Sequence, residues 1–101
     1  MSLTNQQRLD TKRELRENFE KTELTIAQIA EALDTTSAYI EQLMRLEPES
    51  HDHTWILRNF LYEKVKEKGE APTEFTALKG NHRNYWFLAA DYIEKGKIGR
   101  R

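Results

Sequence analysis

Residues 25–46 read TIAQIAEALDTTSAYIEQLMRL, and this stretch decides the fold. Its apolar residues recur three or four positions apart, which is the period of one face of a helix. The pattern stops at residues 34–36 and then resumes, which predicts two short helices joined by a tight turn, a helix-turn-helix unit. The aliphatic positions that carry the pattern are Ile26, Ile29, Ala30 and Leu33 before the turn and Ile40, Leu43 and Met44 after it.

Threonines mark the start of both helices in this unit. The side chains of Thr25 and Thr36 can each accept a hydrogen bond from an exposed amide two or three residues later, so we expect helices over residues 26–33 and 37–46. Turns of this kind usually carry glycine, whereas this turn begins at Asp34. We therefore expect an aspartate at a positive φ.

A longer helix is predicted on each side of the unit. Thr4 and Gln7 form a capping box, which predicts a helix that ends near residue 21. After the unit, Ser50 or Asp52 is expected to cap the next helix, which extends to about Lys68 before Gly69 stops it.

The last third of the chain is expected to add a connector, a helix and a tail. Residues 73–78 alternate weakly in polarity, which predicts an extended packing loop. A glycine and an asparagine then signal a turn before an aromatic helix over residues 82–95. Residues 96–101 are basic and interrupted by glycine, so we expect a frayed tail.

These elements predict an all-α fold, a bundle of four to five helices packed orthogonally around the helix-turn-helix unit. A chain of 101 residues is expected to fold as one domain, residues 1–101. It has no cysteine, which excludes disulfides and thiolate metal sites. No apolar run is long enough for a membrane span or a signal peptide, so we expect a cytoplasmic protein without a membrane partner.

The net charge of −1 conceals an uneven distribution. Residues 22–50 carry one basic and six acidic side chains, whereas residues 51–101 carry ten basic and seven acidic ones. The helix-turn-helix unit therefore lies in the most acidic third of the chain. This counts against nucleic-acid binding, because affinity for nucleic acid comes largely from lysine and arginine side chains that neutralise phosphates.

No group of residues indicates catalysis. The sequence has no nucleophilic cysteine, no glycine-rich phosphate loop and no Gly-x-Ser-x-Gly motif. His51, Asp52 and His53 together with His82 suggest a metal site, but neighbouring and alternate positions of a helix do not face one another. We therefore expect no enzyme activity, no metal centre, no cofactor and no small-molecule ligand.

The leading hypothesis is a sequence-specific DNA-binding transcriptional regulator that acts as a homodimer on duplex DNA. Side chains near the start of the second helix of such a unit reach base edges. The candidate base contacts are Ser37, Ala38, Tyr39 and Gln42. The candidate backbone contacts are Gln28, Thr36 and Arg45 in the unit and Arg13 and Arg16 in the first helix, where Arg8 and Lys12 add positive charge. The plainer interpretation is that Thr36, Ser37 and Gln42 only cap and solvate the second helix while Tyr39 packs at its rim. The charges of the first helix would then form a solvated face.

A protein-protein interaction module that keeps this fold without binding DNA is the alternative. The acidic unit favours it, and so does the surplus of aromatic side chains on the later helices. The candidate interface residues are Trp55, Tyr62, Trp86 and Phe87. Trp55 and Tyr62 lie on the opposite side of their helix from most of its aliphatic residues, so that helix is either central in the domain or offers this face to a partner.

Several motifs outside the unit resemble a family of small bacterial proteins of unknown function. The longest are ELRENF at residues 14–19, WILRNFL at residues 55–61 and FTAL at residues 75–78. The resemblance spans most of the chain and implies a helix-turn-helix-like centre followed by aromatic helices, in a bacterial intracellular setting. It implies no catalytic or binding residues.

Overall fold

The computed structural model describes residues 4–78 and 96–98. These residues form four helices and no strand: α1 (Asn5–Thr22), α2 (Ile26–Ala32), α3 (Ser37–Met44) and α4 (His51–Glu67). The predicted all-α fold is confirmed. The predicted aromatic helix over residues 82–95 lies outside the described residues.

The predicted caps begin the helices. Thr4 and Gln7 form the capping box of α1, and Thr25 forms a second capping box with Gln28 at the start of α2. The Thr36 hydroxyl accepts from the third amide of α3 at 3.2 Å. The Ser50 hydroxyl accepts from an amide in the first turn of α4. Each cap supplies an acceptor to an amide that has no partner within its own helix.

The ends of α2 and α3 come earlier than predicted because the chain turns left-handed immediately after them. Asp34 has a φ of 59° after α2, and Leu46 has a φ of 59° after α3. In both places the next amide reaches back five residues, from Thr35 to Ala30 at 2.9 Å and from Glu47 to Gln42 at 3.1 Å. This is the Schellman arrangement, which stops a helix while satisfying its last carbonyls. The expectation of a positive φ at Asp34 is confirmed.

A hydrophobic core fills the space between the helices. α1 packs against α4, α2 packs against α3, and α3 contacts both α4 and α1. The aliphatic side chains with the least exposure are Leu15, Ile29, Leu33, Ile40, Leu43, Ile56, Leu57, Leu61 and Val65. α3 is therefore held from behind by the other three helices, and its opposite face is left to solvent.

Residues 71–78 have no regular secondary structure and lie against α1 and α4. Asn18, which is fully buried, binds the backbone of Thr73 through two hydrogen bonds, both of 2.9 Å. The buried carboxylate of Glu14 accepts from the Thr76 hydroxyl at 2.8 Å and from its amide at 3.2 Å. Phe75 is buried in the core. The predicted packing loop is thus an ordered segment held by buried polar side chains.

α4 holds the same segment from the other side. The Arg58 Nε donates to the carbonyl of Leu78 at 2.9 Å, and its guanidinium carbon lies within 5.3 Å of three aromatic ring centres, those of Trp55, Tyr62 and Phe75. The Tyr62 hydroxyl donates to the carboxylate of Glu74 at 2.9 Å, and this bond raises the pKa of Tyr62 above its usual value. Cation–π contacts and backbone hydrogen bonds together fix the segment.

The expectation of a frayed tail is wrong for residues 96–98. Ile98 is buried, and its amide donates to the carbonyl of Leu33 at 2.8 Å. The Lys97 ammonium donates to the carbonyl of Ala32 at 2.8 Å. The last carbonyls of a helix have no amide donor within that helix. Lys97 and Ile98 supply hydrogen-bond donors to the carbonyls at the end of α2.

Candidate nucleic-acid interface

The helix-turn-helix unit buries the face that its sequence pattern predicts. Ile29, Leu33, Ile40 and Leu43 are all buried, and Ala30 lies among them with 3% of its surface exposed. A small residue at this position allows the two helices to lie close together. The outer face of the unit is polar and solvent-exposed.

Two of the four candidate base contacts lie on this outer face. Ser37 and Ala38 are exposed at the amino end of α3, directly after the Thr36 cap. Gln42 is half-buried one turn further along, and its amide nitrogen donates to the carbonyl of Glu47 at 2.7 Å.

Tyr39 was expected to be exposed, and this expectation is wrong. Only 3% of its surface is accessible, and its ring packs edge-on against the ring of His53 in α4. Its hydroxyl accepts from the amide of Glu49 at 2.9 Å and is hydrogen-bonded to His53 Nδ1. Tyr39, Leu43 and Leu46 are spaced four and three residues apart, a pattern that is compatible with a buried Tyr39 but does not by itself require it. Tyr39 thus anchors α3 to α4.

The candidate backbone contacts differ in which of their side-chain groups already bond to other residues of the protein. The Thr36 hydroxyl is used as the cap of α3. The side-chain oxygen of Gln28 accepts from the amide of Thr25 at 2.8 Å in the capping box of α2. Arg45 is exposed but lies 3.4 Å from the carboxylate of Glu47. In α1, Arg13 forms an ion pair of 3.2 Å with Glu17, while Arg16 lies over the ring of Phe19.

The surface of the unit is acidic. All five carboxylates between residues 31 and 49 are exposed, namely Glu31, Asp34, Glu41, Glu47 and Glu49. The basic side chain in this stretch is Arg45, and it is paired with Glu47. The charge imbalance seen in the sequence is therefore presented to solvent, and cations from outside the unit must neutralise the phosphates of any bound DNA.

Residues 1–89 match the model of a family described as uncharacterised proteins conserved in bacteria, DUF2316. The chain belongs to this family. The resemblance carried by the motifs in α1, α4 and segment 71–78 is thereby confirmed. No curated protein and no solved structure matches the chain.

Two of the aromatic interface candidates of this DUF2316 protein lie among the described residues, and both already contact other residues of the same chain. Trp55 is 2% exposed and lies beside Arg58. Tyr62 is half-buried and bound to Glu74. The sequence left two alternatives for this helix, a central position in the domain or a face offered to a partner. The burial of Trp55 favours the central position. Trp86 and Phe87 lie outside the described residues.

Three buried polar side chains were not singled out by their sequence pattern. Glu14, Asn18 and Arg58 are at most 8% exposed, and each binds segment 71–78. In the sequence, Glu14 and Arg58 resemble the many solvated charges around them. The one usable signal is that Glu14 and Asn18 lie four residues apart and share one side of the helical wheel with the apolar Leu15.

Two further observations concern the described residues alone. They contain no group of three or more side chains that could hold a metal ion, and His53 is engaged with Tyr39. Within the same ranges, none of the helices has the length and hydrophobicity needed to cross a membrane.

The turn of the unit gives a testable prediction. Replacing Asp34 by valine is expected to lower the free energy of unfolding by about 1–2 kcal/mol, because a β-branched side chain is strained at positive φ. Asp34→Asn is the control, since asparagine adopts this conformation readily. Urea unfolding followed by circular dichroism measures both. Equal stabilities for the two variants would show that residue 34 is not held at positive φ.

Proposed function

We propose that this protein is a small DNA-binding transcriptional regulator of bacteria that reads duplex DNA with the amino end of α3. One observation carries the proposal: Ser37 and Ala38 project into solvent from a capped helix end, while the opposite face of the same helix is fully packed. A reading helix needs this combination, because its position must be fixed from behind while its first turn enters the major groove.

The chemistry of the exposed end is suited to base edges. The Ser37 hydroxyl can donate or accept, and the Ala38 methyl group can contact the methyl group of thymine. Both side chains are small, so the helix end can approach the floor of the groove closely. Gln42, one turn later, is suited to adenine once its amide releases the Glu47 carbonyl. Tyr39 has no part in reading bases and instead sets the angle of α3 against α4.

The proposed active form is a homodimer. Two copies of α3 would then enter successive major grooves, at half-sites about one helical turn apart. A twofold axis through the dimer predicts a palindromic operator, since each subunit reads the same half-site.

The proposal is tested by selecting duplexes from a fragmented bacterial genome at low salt and measuring their affinity by fluorescence anisotropy. Ala38→Glu is expected to weaken binding to the selected duplex by at least about tenfold, because the new carboxylate faces the negative groove. Ala71→Glu is the matched control, since Ala71 is also exposed but lies in the connector after α4. Failure to enrich any duplex, or equal affinities for the two variants, would contradict the proposal.

The acidic surface of the unit favours a second candidate, an interaction module for a basic protein partner. Five exposed carboxylates with one paired arginine are suited to lysine-rich and arginine-rich surfaces. The same anisotropy assay separates the two candidates when a labelled lysine-rich peptide replaces the DNA. Salt-sensitive binding of the peptide, together with no enriched duplex, would support the module and exclude the regulator.

A further inference from the structure

We propose that Arg8, Lys12 and Arg16 form a basic stripe on α1 that contacts the phosphate backbone of duplex DNA. This inference rests on the proposed function and names the source of the positive charge that the helix-turn-helix unit lacks. The sequence predicted Arg13 and Arg16 as the backbone contacts in α1. The proposed stripe keeps Arg16, adds Arg8 and Lys12, and omits Arg13.

The stripe follows from helical spacing. Its members lie four residues apart, so they occupy one flank of α1 on successive turns. At 1.5 Å of rise per residue, the first and last Cα atoms are about 12 Å apart. One strand of B-DNA presents about three phosphates over that length of helix axis. A single helix flank can therefore contact several phosphates of one strand.

In the part of the chain that the structure describes, carboxylates do not neutralise the charges of the stripe. Among the described residues, no carboxylate forms an ion pair with Arg8, Lys12 or Arg16. Arg13, on the same helix, bonds to Glu17 at 3.2 Å and lies 3.6 Å from Glu14. Among the described residues, the structure thus distinguishes Arg13, which is paired, from Arg8, Lys12 and Arg16, which form no ion pair. Lys21, the fifth basic residue of α1, donates to the carbonyl of Ala71.

The guanidinium of Arg16 packs over an aromatic ring. Its central carbon lies 5.6 Å from the ring centre of Phe19, which is a cation–π contact. Arg16 is exposed to solvent. A guanidinium placed against a ring is a common donor to phosphate oxygens, since stacking uses its face and phosphate uses its edge.

The position of the stripe in the fold agrees with this role. Glu14 and Asn18 hold segment 71–78 on one flank of α1. At 100° per residue the stripe is centred about 140° away from them, on the other flank. α3 packs directly against α1. The stripe therefore lies on the flank that segment 71–78 leaves open, on a helix in contact with the reading helix.

The test compares two triple variants with the same change in net charge. Arg8→Gln/Lys12→Gln/Arg16→Gln removes the stripe. Arg13→Gln/Lys64→Gln/Lys66→Gln is the matched control, because these three cations are each paired with a carboxylate. Anisotropy is measured on a duplex selected by the wild-type chain over a range of salt concentrations. The stripe variant is expected to reduce the magnitude of the slope of log affinity against log salt by about three for each bound subunit, and so by about five for the proposed homodimer, since each phosphate contact contributes about 0.9. The control is expected to keep the wild-type slope.

The possible outcomes are distinct. If the wild-type chain selects no duplex, the proposed function fails and the inference fails with it. If wild type binds and the stripe variant keeps the wild-type slope, the stripe is not a phosphate contact, although the proposed function stands. If light scattering shows that the stripe variant instead loses self-association while its slope is unchanged, the stripe is a contact between copies of the chain and the inference is overturned. Melting temperatures of both variants confirm that each is folded.

Discussion

Replacing Ile40 by alanine is expected to lower the free energy of unfolding by about 2–5 kcal/mol. Ile40 has no exposed surface and belongs to the core that joins α3 to the other helices. Truncation removes buried apolar area and leaves a cavity that a close-packed interior fills only in part. Urea unfolding monitored by circular dichroism measures the loss as a lower midpoint at an unchanged slope.

The neighbouring residue supplies the control for this prediction. Glu41 is exposed on the same turn of α3, so Glu41→Ala is expected to change the stability by less than about 0.5 kcal/mol. The contrast between adjacent positions tests the phase of α3, with Ile40 inward and Glu41 outward. Similar losses at the two positions would show that α3 is rotated or unpacked, and the proposed reading end at Ser37 and Ala38 would lose its basis.

Replacing Asn18 by alanine is expected to cost about 2–4 kcal/mol, although Asn18 is polar. Its side chain is fully buried and forms hydrogen bonds of 2.9 Å with both backbone groups of Thr73. A buried donor or acceptor left without a partner costs roughly 1–3 kcal/mol. Thr73 is only half-buried, so water is expected to recover part of the loss. Urea unfolding gives the total.

Thr73→Ala is the control for Asn18→Ala. Asn18 binds the backbone of Thr73 and not its side chain, so this variant keeps both hydrogen bonds and is expected to remain within about 0.5 kcal/mol of wild type. Amide hydrogen exchange adds a local measurement, since the amide of residue 73 is expected to exchange faster in Asn18→Ala alone. If that amide exchanges equally fast in both variants, Asn18 does not hold segment 71–78.

The sequence predicted α2, α3 and the turn between them well because the signals for them are local. The aliphatic period of residues 26–44, the threonine caps and the left-handed turn at Asp34 each depend on residues within one or two helical turns. The acidic outer surface was also predictable, since carboxylates of a short unit have no interior large enough to hold them. Tyr39 was misassigned because a tyrosine can be placed on either face, and its partner His53 lies beyond a proline-containing loop.

The interactions that were not predicted join residues far apart in the chain. Glu14 binds Thr76, Asn18 binds Thr73, Arg58 binds Leu78, and Ile98 binds Leu33. Nothing near Glu14 or Arg58 distinguishes them from the solvated charges on the same helices. Their burial depends on where segment 71–78 comes to lie, which is a property of the packed helices.

By itself, therefore, the sequence determined the all-α class, the beginnings of four helices, the inner face of the helix-turn-helix unit and its acidic outer charge. Each follows from hydrogen-bond chemistry or periodicity within a single helix. Only the tertiary structure decided that Tyr39 is internal, that residues 71–78 and 96–98 lie against the helices, and that Glu14, Asn18 and Arg58 are buried. Burial and hydrogen bonds between distant residues depend on distances between side chains of different elements, and those distances exist only after the helices have packed together.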